Sequence, residues 1–269
     1  MTLRNLNIET VHISVVSHGQ SKLVAQLLQD IERYCRGATL HVTVTHNIPE
    51  PLCFDPDRFR FPLHLLRNVS PQGFAANHNA AFRHGQREYP CDYFSVVNPD
   101  IRFSSDPFPE LLRCLGDGRA GVAAPLVQNS EGRIEDSARR FPTPLRILAK
   151  AFGKSSNPDH AVDRGAVSPD WVAGMFMLIP TEIFGRVGGF DERYFLYYED
   201  VDLCARLRLA GYDVRFCPNA HVVHEAQRQS HRDLKYLRWH ITSVMRFFLS
   251  PVYFFVIWRR IVDRMRPRA

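Results

Sequence analysis

The sequence lacks the short motifs that mark several large enzyme classes. Its 269 residues contain no P-loop string and no G-x-S-x-G nucleophile elbow, so P-loop nucleotide hydrolysis and serine hydrolysis lose their main support. The six cysteines lie far apart and form no C-x-x-C pair. We therefore predict neither a zinc site nor a disulfide framework, and we expect a reducing cytoplasm. With 45% hydrophobic and 23% charged residues, the chain can bury a full core.

Long hydrophobic runs are also missing. Nothing near the start resembles a signal peptide. The apolar stretch from Val244 to Trp258 is shorter than the ~20 residues that cross a bilayer, and Arg246 and Pro251 interrupt it. Its aromatic residues and the arginines that follow are typical of a segment lying on anionic lipid at a membrane interface. A core-packing helix with a solvated basic end is the alternative.

The positive charge is confined to one end of the chain. The net charge is +6, yet the segment from Ala226 to Ala269 holds ten Lys and Arg against two Asp, while the other 225 residues hold 24 basic and 26 acidic groups. The basic excess therefore belongs to the tail and bears on partners more than on the fold. We expect no nucleic-acid binding, because the tail aromatics form one apolar block and do not alternate with charge.

Strands alternate with helices over the first half of the chain, which predicts βαβ units and a mainly parallel sheet with ligands at the carboxyl ends of its strands. The predicted strands are 12–17, 40–45, 63–66, 93–97 and 121–124, and the predicted helices lie near 23–31, 74–84 and 107–115. The second half adds an apolar strand at 171–179, helices at 181–187 and 199–210, and an edge-type strand at 212–216. Residues 139–170 are predicted to form a long connection.

Three segments have residues suited to chemistry, and each also has an ordinary structural explanation. Asp100 follows a strand, where a carboxylate suits Mg²⁺ or Mn²⁺ with phosphate oxygens, although Asn-Pro-Asp is also a favoured turn. Glu199–Asp200 begins a helix after an aromatic stretch that suits a sugar site, although acids also cap helices. On a strand, His221 and His224 would face opposite ways, so that one suits a metal and the other the surface.

Taken in order, five strings resemble glycosyltransferase family 2, with its GT-A fold, and particularly its rhamnosyltransferase-like bacterial branch. They are VHISVVSHGQ, LLRNVSPQGFAANHNAAF, SVVNPDIRF, WVAGMFMLIP and GGFDERYFLYYEDVDLCARLRLAGYDV, followed by AHVVHE. The resemblance implies an α/β domain over residues 1–230, with a Rossmann-like mixed, mainly parallel sheet flanked by helices. A C-terminal helical tail, apolar and basic, would occupy residues 231–269.

The resemblance also implies roles for matching positions. Asp100 and His224 would hold Mg²⁺ or Mn²⁺ against the donor diphosphate, with Asn98 replacing the first acid of the family's DxD element. Asp200 would be the general base, and Glu199 would steer the acceptor or tune its neighbour. The residues implied around the nucleotide sugar, or between donor and acceptor, are Ser17, Gly73, Phe74, Asn77, Asn79, Asn98, Trp171 and Gly174. One position departs from the family, since His46 stands where many relatives have an Asp that reads uracil or thymine.

The implied reaction is inverting transfer of a sugar, with rhamnose from dTDP-rhamnose as the first expectation. The donor would be a dTDP- or UDP-sugar, and the acceptor a glycan or a lipid-linked glycan in cell-surface polysaccharide synthesis. Such an acceptor would keep the enzyme in the cytoplasm, at the cytoplasmic face of the inner membrane. Two rival hypotheses are a catalytically silent nucleotide-sugar-binding or scaffold protein on the same fold, and a nucleotidyltransferase. The latter would need a glycine-rich basic loop after the first strand.

Overall fold

A computed structural model describes residues 8–116, 118–144, 168–225 and 234–265, and its centre is one large sheet flanked by helices on both faces. The strands are β1 (Thr10–Ser17), β2 (Thr39–His46), β3 (Leu63–Arg67), β4 (Tyr93–Val97), β5 (Ile101–Arg102), β6 (Ala120–Asn129), β7 (Ala138–Arg139), β8 (Trp171–Val172), β9 (Phe176–Pro180) and β10 (Asp213–His224). The helices are α1 (Ser21–Tyr34), α2 (Phe74–Glu88), α3 (Phe108–Leu115), α4 (Thr181–Arg186), α5 (Glu199–Leu209), α6 (Leu234–Phe248) and α7 (Pro251–Met265), with a short 3₁₀ turn at Pro56–Arg58.

The large sheet has the strand order β3-β2-β1-β4-β9-β6-β10-β5. The first four strands in that order are parallel neighbours, and β10 is parallel to β6. Strand β9 runs antiparallel to both β4 and β6, and β5 runs antiparallel to β10. Strands β7 and β8 pair as a separate two-stranded sheet. The predicted α/β fold with a mixed, mainly parallel sheet is therefore confirmed.

Alternating side chains along β1 divide the core between the two faces of this sheet. Val11, Ile13 and Val15 point to the face covered by α1 and α3. The buried apolar residues of α1 recur at helical spacing and form the facing stripe: Val24, Leu27, Leu28 and Ile31. The opposite face packs against α2, α4 and α5. Because helices cover both faces of the sheet, the carboxyl ends of the parallel strands are accessible only along its edge.

The layer between β1 and α2 contains two buried histidines. His12 Nε2 is hydrogen-bonded to Thr43 Oγ1 at 2.8 Å, and His78 Nδ1 is hydrogen-bonded to Ser14 Oγ at 2.8 Å. Burial lowers the pKa of His78 to about 3. Burial, reinforced by neighbouring histidines such as His64, lowers the pKa of His12 to about 3 as well. Both rings are therefore neutral in the folded protein at neutral pH.

We expect the buried histidines His12 and His78 to lower the free energy of unfolding below about pH 6.5. Because the folded-state pKa of His12 and His78 is below that of the unfolded chain, the unfolded state binds more protons, and stability is lost as the pH falls from about 6.5 towards 3. At pH 5 each histidine costs about 2 kcal/mol by this linkage. Urea unfolding at pH 7 and pH 5 measures the loss. His78→Asn should make the loss smaller by about 2 kcal/mol, whereas His221→Asn, at an exposed position, should leave it unchanged. An undiminished loss in His78→Asn would contradict the assignment.

The apolar strand predicted from Trp171 to Ile179 is wrong as a single element, because it is divided into β8 and β9. Between them, the Gly174 N–H donates to Asp200 Oδ2 at 2.9 Å and the Met175 carbonyl accepts from the Asn98 N–H at 2.9 Å. The Met175 carbonyl extends the pairing of β4 with β9 by one residue, but the Gly174 N–H is used by a carboxylate outside the sheet, so β9 does not continue back to β8. The interruption lies beside the residues with predicted chemical roles.

Strand β10 is also longer and more central than the edge-type strand predicted at 212–216. It pairs with β6 on one side and with β5 on the other. The edge strand is β5, whose Ile101 pairs with His224. Because Asp100 immediately precedes β5, this pairing brings Asp100 next to the end of β10.

One disulfide corrects the cysteine prediction, and the cysteines therefore no longer support a reducing compartment. Cys114 of α3 is bonded to Cys217 of β10, with the two Cα atoms 6.4 Å apart. Helix α3 packs on β6 and β10, which makes residues 103 positions apart in the sequence spatial neighbours. Among the described residues the remaining cysteines are free: Cys35, Cys53, Cys91 and Cys204.

Glycines 116, 118 and 121 have the spacing G-x-G-x-x-G, a match that does not indicate a dinucleotide site. They join the end of α3 to β6. A dinucleotide-binding loop instead leads from a strand into a helix, so that the phosphates meet a helix N-terminus.

The tail is helical, as predicted, and consists of α6 and α7. Within the described part of the chain, no single helix is long and apolar enough to cross a bilayer. Helix α6 and residues Pro251–Val262, bent by 53°, meet that criterion only as a pair and only by length and composition. Most of the connection predicted at 139–170 lies outside the described residues, as do residues 226–233 and the last four.

Candidate functional site

The carboxyl edge of the parallel strands carries several of the predicted donor-site residues. Ser17 ends β1, and its hydroxyl accepts the Gln20 N–H at 3.2 Å, which shapes the turn into α1. Gly73 directly precedes α2. The Phe74 N–H donates to the Phe195 carbonyl at 2.8 Å, so the start of α2 is joined to the aromatic segment before α5.

Side-chain amides hold the loops of this edge together. Asn47, just after β2, accepts from the Asn68 side chain at 2.8 Å and from the Gln72 N–H at 2.7 Å. Asn68 also donates to Asn77 Oδ1 at 2.6 Å, and Asn77 donates to the Gly73 carbonyl at 3.0 Å. Since Asn77 is almost fully buried, the geometry gives it a positioning role for Gly73. Its contact with a donor stays a prediction.

Asn79 makes a second connection from α2. Its Nδ2 donates to the Phe190 carbonyl at 2.8 Å, and its Oδ1 accepts the Phe190 N–H at 2.9 Å. A further bond runs from Nδ2 to Glu192 Oε1 at 3.0 Å. Asn79 therefore fixes the beginning of the aromatic segment, and its contact with a nucleotide sugar stays a prediction too.

His46 occupies the position where relatives have a base-reading Asp. Its side chain is buried, and Nδ1 is hydrogen-bonded to Glu50 Oε1 at 3.1 Å. Glu50 in turn accepts the Ser21 N–H at the start of α1 at 2.8 Å. His46 and Glu50 thus anchor the first turn of α1. The sequence indicated a departure at this position but not this partner.

Asp100, His224 and Glu135 form one hydrogen-bonded group. His224 Nε2 is 3.2 Å from Asp100 Oδ2, and Nδ1 is 2.9 Å from Glu135 Oε2. His221, on the same strand, is exposed. Glu135 escaped the sequence analysis, because it is 89 residues away from His224 and no local pattern distinguishes it from other surface acids.

The electrostatics of this group favour a cation. Burial alone would lower the pKa of His224, but its hydrogen bonds to Asp100 and Glu135 outweigh burial and raise the pKa to about 9. Asp100 Oδ1 is buried and has no hydrogen-bond partner. In the described part of the chain, no cluster of three or more His, Cys, Asp or Glu residues could hold a metal by itself. One carboxylate and one imidazole completed by phosphate oxygens are sufficient for Mg²⁺ or Mn²⁺.

Glu199 and Asp200 begin α5 in two different environments. Asp200 Oδ2 accepts the Gly174 N–H at 2.9 Å, and Oδ1 accepts the Val201 N–H at 2.8 Å. Glu199 is only 5% exposed, and its Oε2 has no hydrogen-bond partner. Backbone amides therefore solvate both oxygens of Asp200. By contrast, Oε2 of Glu199 is buried without a hydrogen bond.

These environments separate the protonation states of the two acids. Burial and the nearby Asp200 raise the pKa of Glu199 well above its ordinary value. Burial also raises the pKa of Asp200, but the amides of Gly174 and Val201 and the charge of Arg139 oppose that effect. Asp200 therefore ionises more readily than Glu199.

Residues 174 and 175 connect the two acidic sites. The Gly174 amide is bonded to Asp200, and the next residue, Met175, is bonded through its carbonyl to Asn98, two positions before Asp100. A Cβ added at Gly174 would lie 3.4 Å from the Phe74 ring and 3.5 Å from Asp200 Cβ. The interruption between β8 and β9 therefore adjoins the Asp100 loop, the start of α2 and the carboxylate of Asp200.

Trp171 lies at the entrance to this segment. Its indole N–H donates to the Arg140 carbonyl at 3.0 Å, and the Arg139 guanidinium lies 5.2 Å from its ring centroid. Arg139 pairs with Trp171 between β7 and β8. Arg139 was not recognisable from the sequence, because it stands at the start of the predicted long connection and belongs to no motif.

We expect Gly73→Ala to disturb the junction between α2 and the aromatic segment. A Cβ at residue 73 would lie 2.5 Å from the Phe195 carbonyl oxygen and 2.8 Å from its Cα, so the backbone itself must move. The expected cost is about 1–3 kcal/mol of stability, measured by urea unfolding. Gly185→Ala is the matched control, since its nearest neighbour would be 3.8 Å away. Equal stability of the two variants would contradict the close approach.

Comparison with known proteins places this arrangement in a family. Residues 64–241 match the family model described as glycosyltransferase like family 2. The chain is 30% identical over 250 residues to the rhamnosyltransferase WbbL of Escherichia coli (strain K12). This match covers 88% of this chain and 92% of that protein. It is 34% identical over 152 residues to an N-acetylglucosaminyl-diphospho-decaprenol L-rhamnosyltransferase of Mycobacterium tuberculosis (strain CDC 1551 / Oshkosh), covering 53% of this chain and 50% of that one.

Solved structures share the fold at low sequence identity. GalNAc-T7, crystallised with UDP, GalNAc and Mn²⁺, superposes with a TM-score of 0.65 at 13% identity over 98% of this chain and 52% of its own. The mannosyltransferase PcManGT from Pyrobaculum calidifontis, in complex with GDP-Man and Mn²⁺, superposes with a TM-score of 0.59 at 17% identity. This match covers 91% of this chain and 66% of that one. The chain thus spans about half to two thirds of these structures. Together with the sequence matches, they show that this chain is a glycosyltransferase with the GT-A fold, belongs to family 2 and resembles its rhamnosyltransferases.

Proposed function

We propose that this glycosyltransferase moves rhamnose, with inversion, from dTDP-rhamnose to a glycan or lipid-linked acceptor in cell-surface polysaccharide synthesis. The observation that supports this most is the connection through Gly174 and Met175, which joins the Asp200 carboxylate to the loop of Asp100. A base for the acceptor and a site for the departing diphosphate need this proximity, because bond formation and bond breaking occur at one carbon.

Asp200 acts as the general base. It takes the proton of the acceptor hydroxyl while that oxygen attacks the anomeric carbon and the bond from that carbon to the diphosphate oxygen breaks. One displacement from the opposite face inverts the anomeric configuration. Glu199 beside it ionises less readily, which favours a single negative charge of the pair on Asp200. The two backbone amides fix the direction of the carboxylate.

Asp100 and His224 fit a divalent metal. Both structural neighbours named above contain Mn²⁺ with a nucleotide or nucleotide sugar, and here Asp100 offers a buried, unpartnered oxygen. Mg²⁺ or Mn²⁺ bound there would neutralise negative charge developing on the diphosphate. Glu135 orients the His224 ring from behind, a role that carboxylates commonly play beside metal-bound histidines.

The names of the two rhamnosyltransferase relatives support the proposed donor and acceptor. Their names support rhamnose as the transferred sugar, and the mycobacterial name supports an acceptor of N-acetylglucosamine linked through diphosphate to a polyprenol. A polyprenol-linked acceptor is held in a membrane, so we propose that the enzyme works at the cytoplasmic face of the inner membrane with its tail in peripheral contact. The basic charge of residues 226–269 supports that contact.

Transfer to a defined acceptor tests this proposal. Purified protein with Mn²⁺ is given dTDP-rhamnose and polyprenyl-diphospho-N-acetylglucosamine in detergent, and the lipid product is analysed by mass spectrometry and NMR. We expect one rhamnose added per dTDP released, with inverted anomeric configuration. UDP- and GDP-sugars should give little product. Retained configuration, or dTDP release with no glycosylated lipid, would overturn the proposal.

A further inference from the structure

The backbone just before the catalytic pair is strained. Tyr197 and Tyr198 have φ values of 71° and 70°, and they alone among the described non-glycine residues have positive φ. Side chains with a Cβ adopt this left-handed conformation only at an energetic cost. Since Tyr198 is the N-cap of α5, the orientation of Glu199 and Asp200 depends on holding both tyrosines in place.

Helix α6 supplies much of that restraint. The Ser243 hydroxyl donates to the Leu196 carbonyl at 2.9 Å. The His240 ring packs edge-on against Tyr197 at 5.3 Å, and Phe247 lies 5.6 Å from the Tyr198 ring. Ser243 and Phe247 are the buried residues of α6. Both contact the strained segment, so the inner face of α6 packs mainly against it. If α6 moves away from the domain, Tyr197 and Tyr198 therefore lose these contacts.

The outer face of α6 is apolar and exposed. It consists of Leu234, Leu237, Ile241 and Met245, at helical spacing and between 50% and 81% exposed. Leu249 in the joint and four residues of α7 continue the exposed apolar surface: Phe254, Phe255, Trp258 and Ile261. An isolated 15-residue helix is marginal in water, and an apolar surface of this extent indicates a binding partner.

Charge and composition identify the partner as an anionic bilayer surface. Lys235 and Arg238 are exposed on α6, within a tail of ten basic and two acidic residues. Aromatic side chains such as Phe254 and Trp258 are typical of the interfacial region of a bilayer, where anionic headgroups attract Lys and Arg. A second copy of this chain would bring the same excess of positive charge against itself, which disfavours a dimer through this face.

We infer that docking of the α6–α7 outer face on an anionic bilayer fixes α6 against residues 195–200 and thereby orders the catalytic carboxylates. The inference rests on the proposed function for its consequence, which is faster transfer at the membrane than in solution. Its physical part, the coupling of bilayer docking to the order of residues 195–200, stands on the α6 contacts alone. Ser243 and Phe247 are positioning residues in this account.

Vesicle flotation combined with amide hydrogen exchange tests the coupling. The full chain is mixed with vesicles of phosphatidylcholine alone or with phosphatidylglycerol added. We expect binding only to the anionic vesicles, and exchange across residues 195–200 slowed about tenfold on binding. Ile241→Glu with Met245→Glu should abolish both effects. Ser243→Ala should bind vesicles normally but lose most of the slowing, and Ile8→Glu, at an exposed apolar residue outside the tail, should behave as wild type.

Several outcomes would overturn the inference. They are binding without any change in exchange at residues 195–200, unchanged flotation of the Ile241/Met245 double variant, and a stable dimer in sedimentation that buries the face. Resistance to alkaline carbonate extraction would also overturn it, because it would identify α6–α7 as inserted rather than docked. If transfer activity is absent while docking still slows exchange, the proposed function fails and the coupling stands.

Discussion

Asp200→Asn is expected to lower transfer by roughly 10² to 10⁴ while leaving donor binding nearly unchanged. The amide cannot accept the proton of the acceptor hydroxyl. Its single oxygen can keep the bond from the Gly174 N–H but then loses the bond from the Val201 N–H, so thermal unfolding must be measured beside turnover. Glu199→Gln should lower transfer by less than about tenfold, because burial and Asp200 disfavour ionisation of Glu199 and Gln is a neutral side chain of the same shape.

The pH dependence of kcat gives this pair of variants a second readout. Burial raises the pKa of Asp200 above the ordinary aspartate value. Activity should therefore fall as the pH drops through that raised pKa, and it should be full above it. Glu199→Gln should keep this acidic limb, because the neutral side chain leaves the single charge on Asp200.

Turnover, calorimetric donor binding and thermal unfolding should be measured together on wild type and both variants. The reverse pattern, with Glu199→Gln inactive and Asp200→Asn active, would assign the base to Glu199. A comparable loss of donor binding and turnover in Asp200→Asn would indicate a structural rather than a catalytic role.

The second large effect is expected for Asp100→Asn, which should abolish the metal-dependent part of nucleotide binding. The variant loses the anionic charge that attracts the metal, and its Nδ2 donor would meet the space left for a cation. Loss of one of two protein ligands should weaken Mn²⁺-dependent dTDP binding by about 100-fold or more. Binding measured with Mn²⁺ replaced by EDTA should change little.

Variants of neighbouring residues should weaken Mn²⁺-dependent binding less than Asp100→Asn does. Glu135→Gln should weaken Mn²⁺-dependent binding by about tenfold, because it contacts the back of the His224 ring rather than the metal. His221→Asn is the control, at an exposed position on the same strand. Titration calorimetry with dTDP compares the series. Equal affinity of wild type and Asp100→Asn in Mn²⁺ would contradict the metal site at Asp100.

The regular elements were predictable because their signals are local. The apolar run Tyr93–Val97 was predicted as a strand with the bounds that β4 has, and Glu199–Ala210 differs from α5 by one residue. The strand at 171–179 failed because a hydrophobic pattern does not reveal that the Gly174 N–H bonds to the Asp200 carboxylate outside the sheet. The edge-type strand failed for a similar reason, since only the tertiary fold inserts β10 between β6 and β5.

The candidate site divides in the same way. Asp100, His224 and the Glu199–Asp200 pair lie in strings that resemble the family, and the structure brings Asp100 and His224 together from 124 residues apart. Glu135 and Arg139 lie outside those strings, and their relation to His224 and Asp200 depends on folding. The bond between Cys114 and Cys217 was missed because it follows from α3 packing on β10.

Binding of nucleotide sugars with and without metal tests the central claim most directly. Wild type and Asp100→Asn are titrated with dTDP-, UDP- and GDP-sugars in Mn²⁺, in Mg²⁺ and in EDTA, by calorimetry and thermal shift. We predict metal-dependent stabilisation of the wild type by the dTDP class, lost in Asp100→Asn. If no nucleotide sugar binds with either metal, the account is contradicted, and a scaffold protein on the same fold becomes the better explanation.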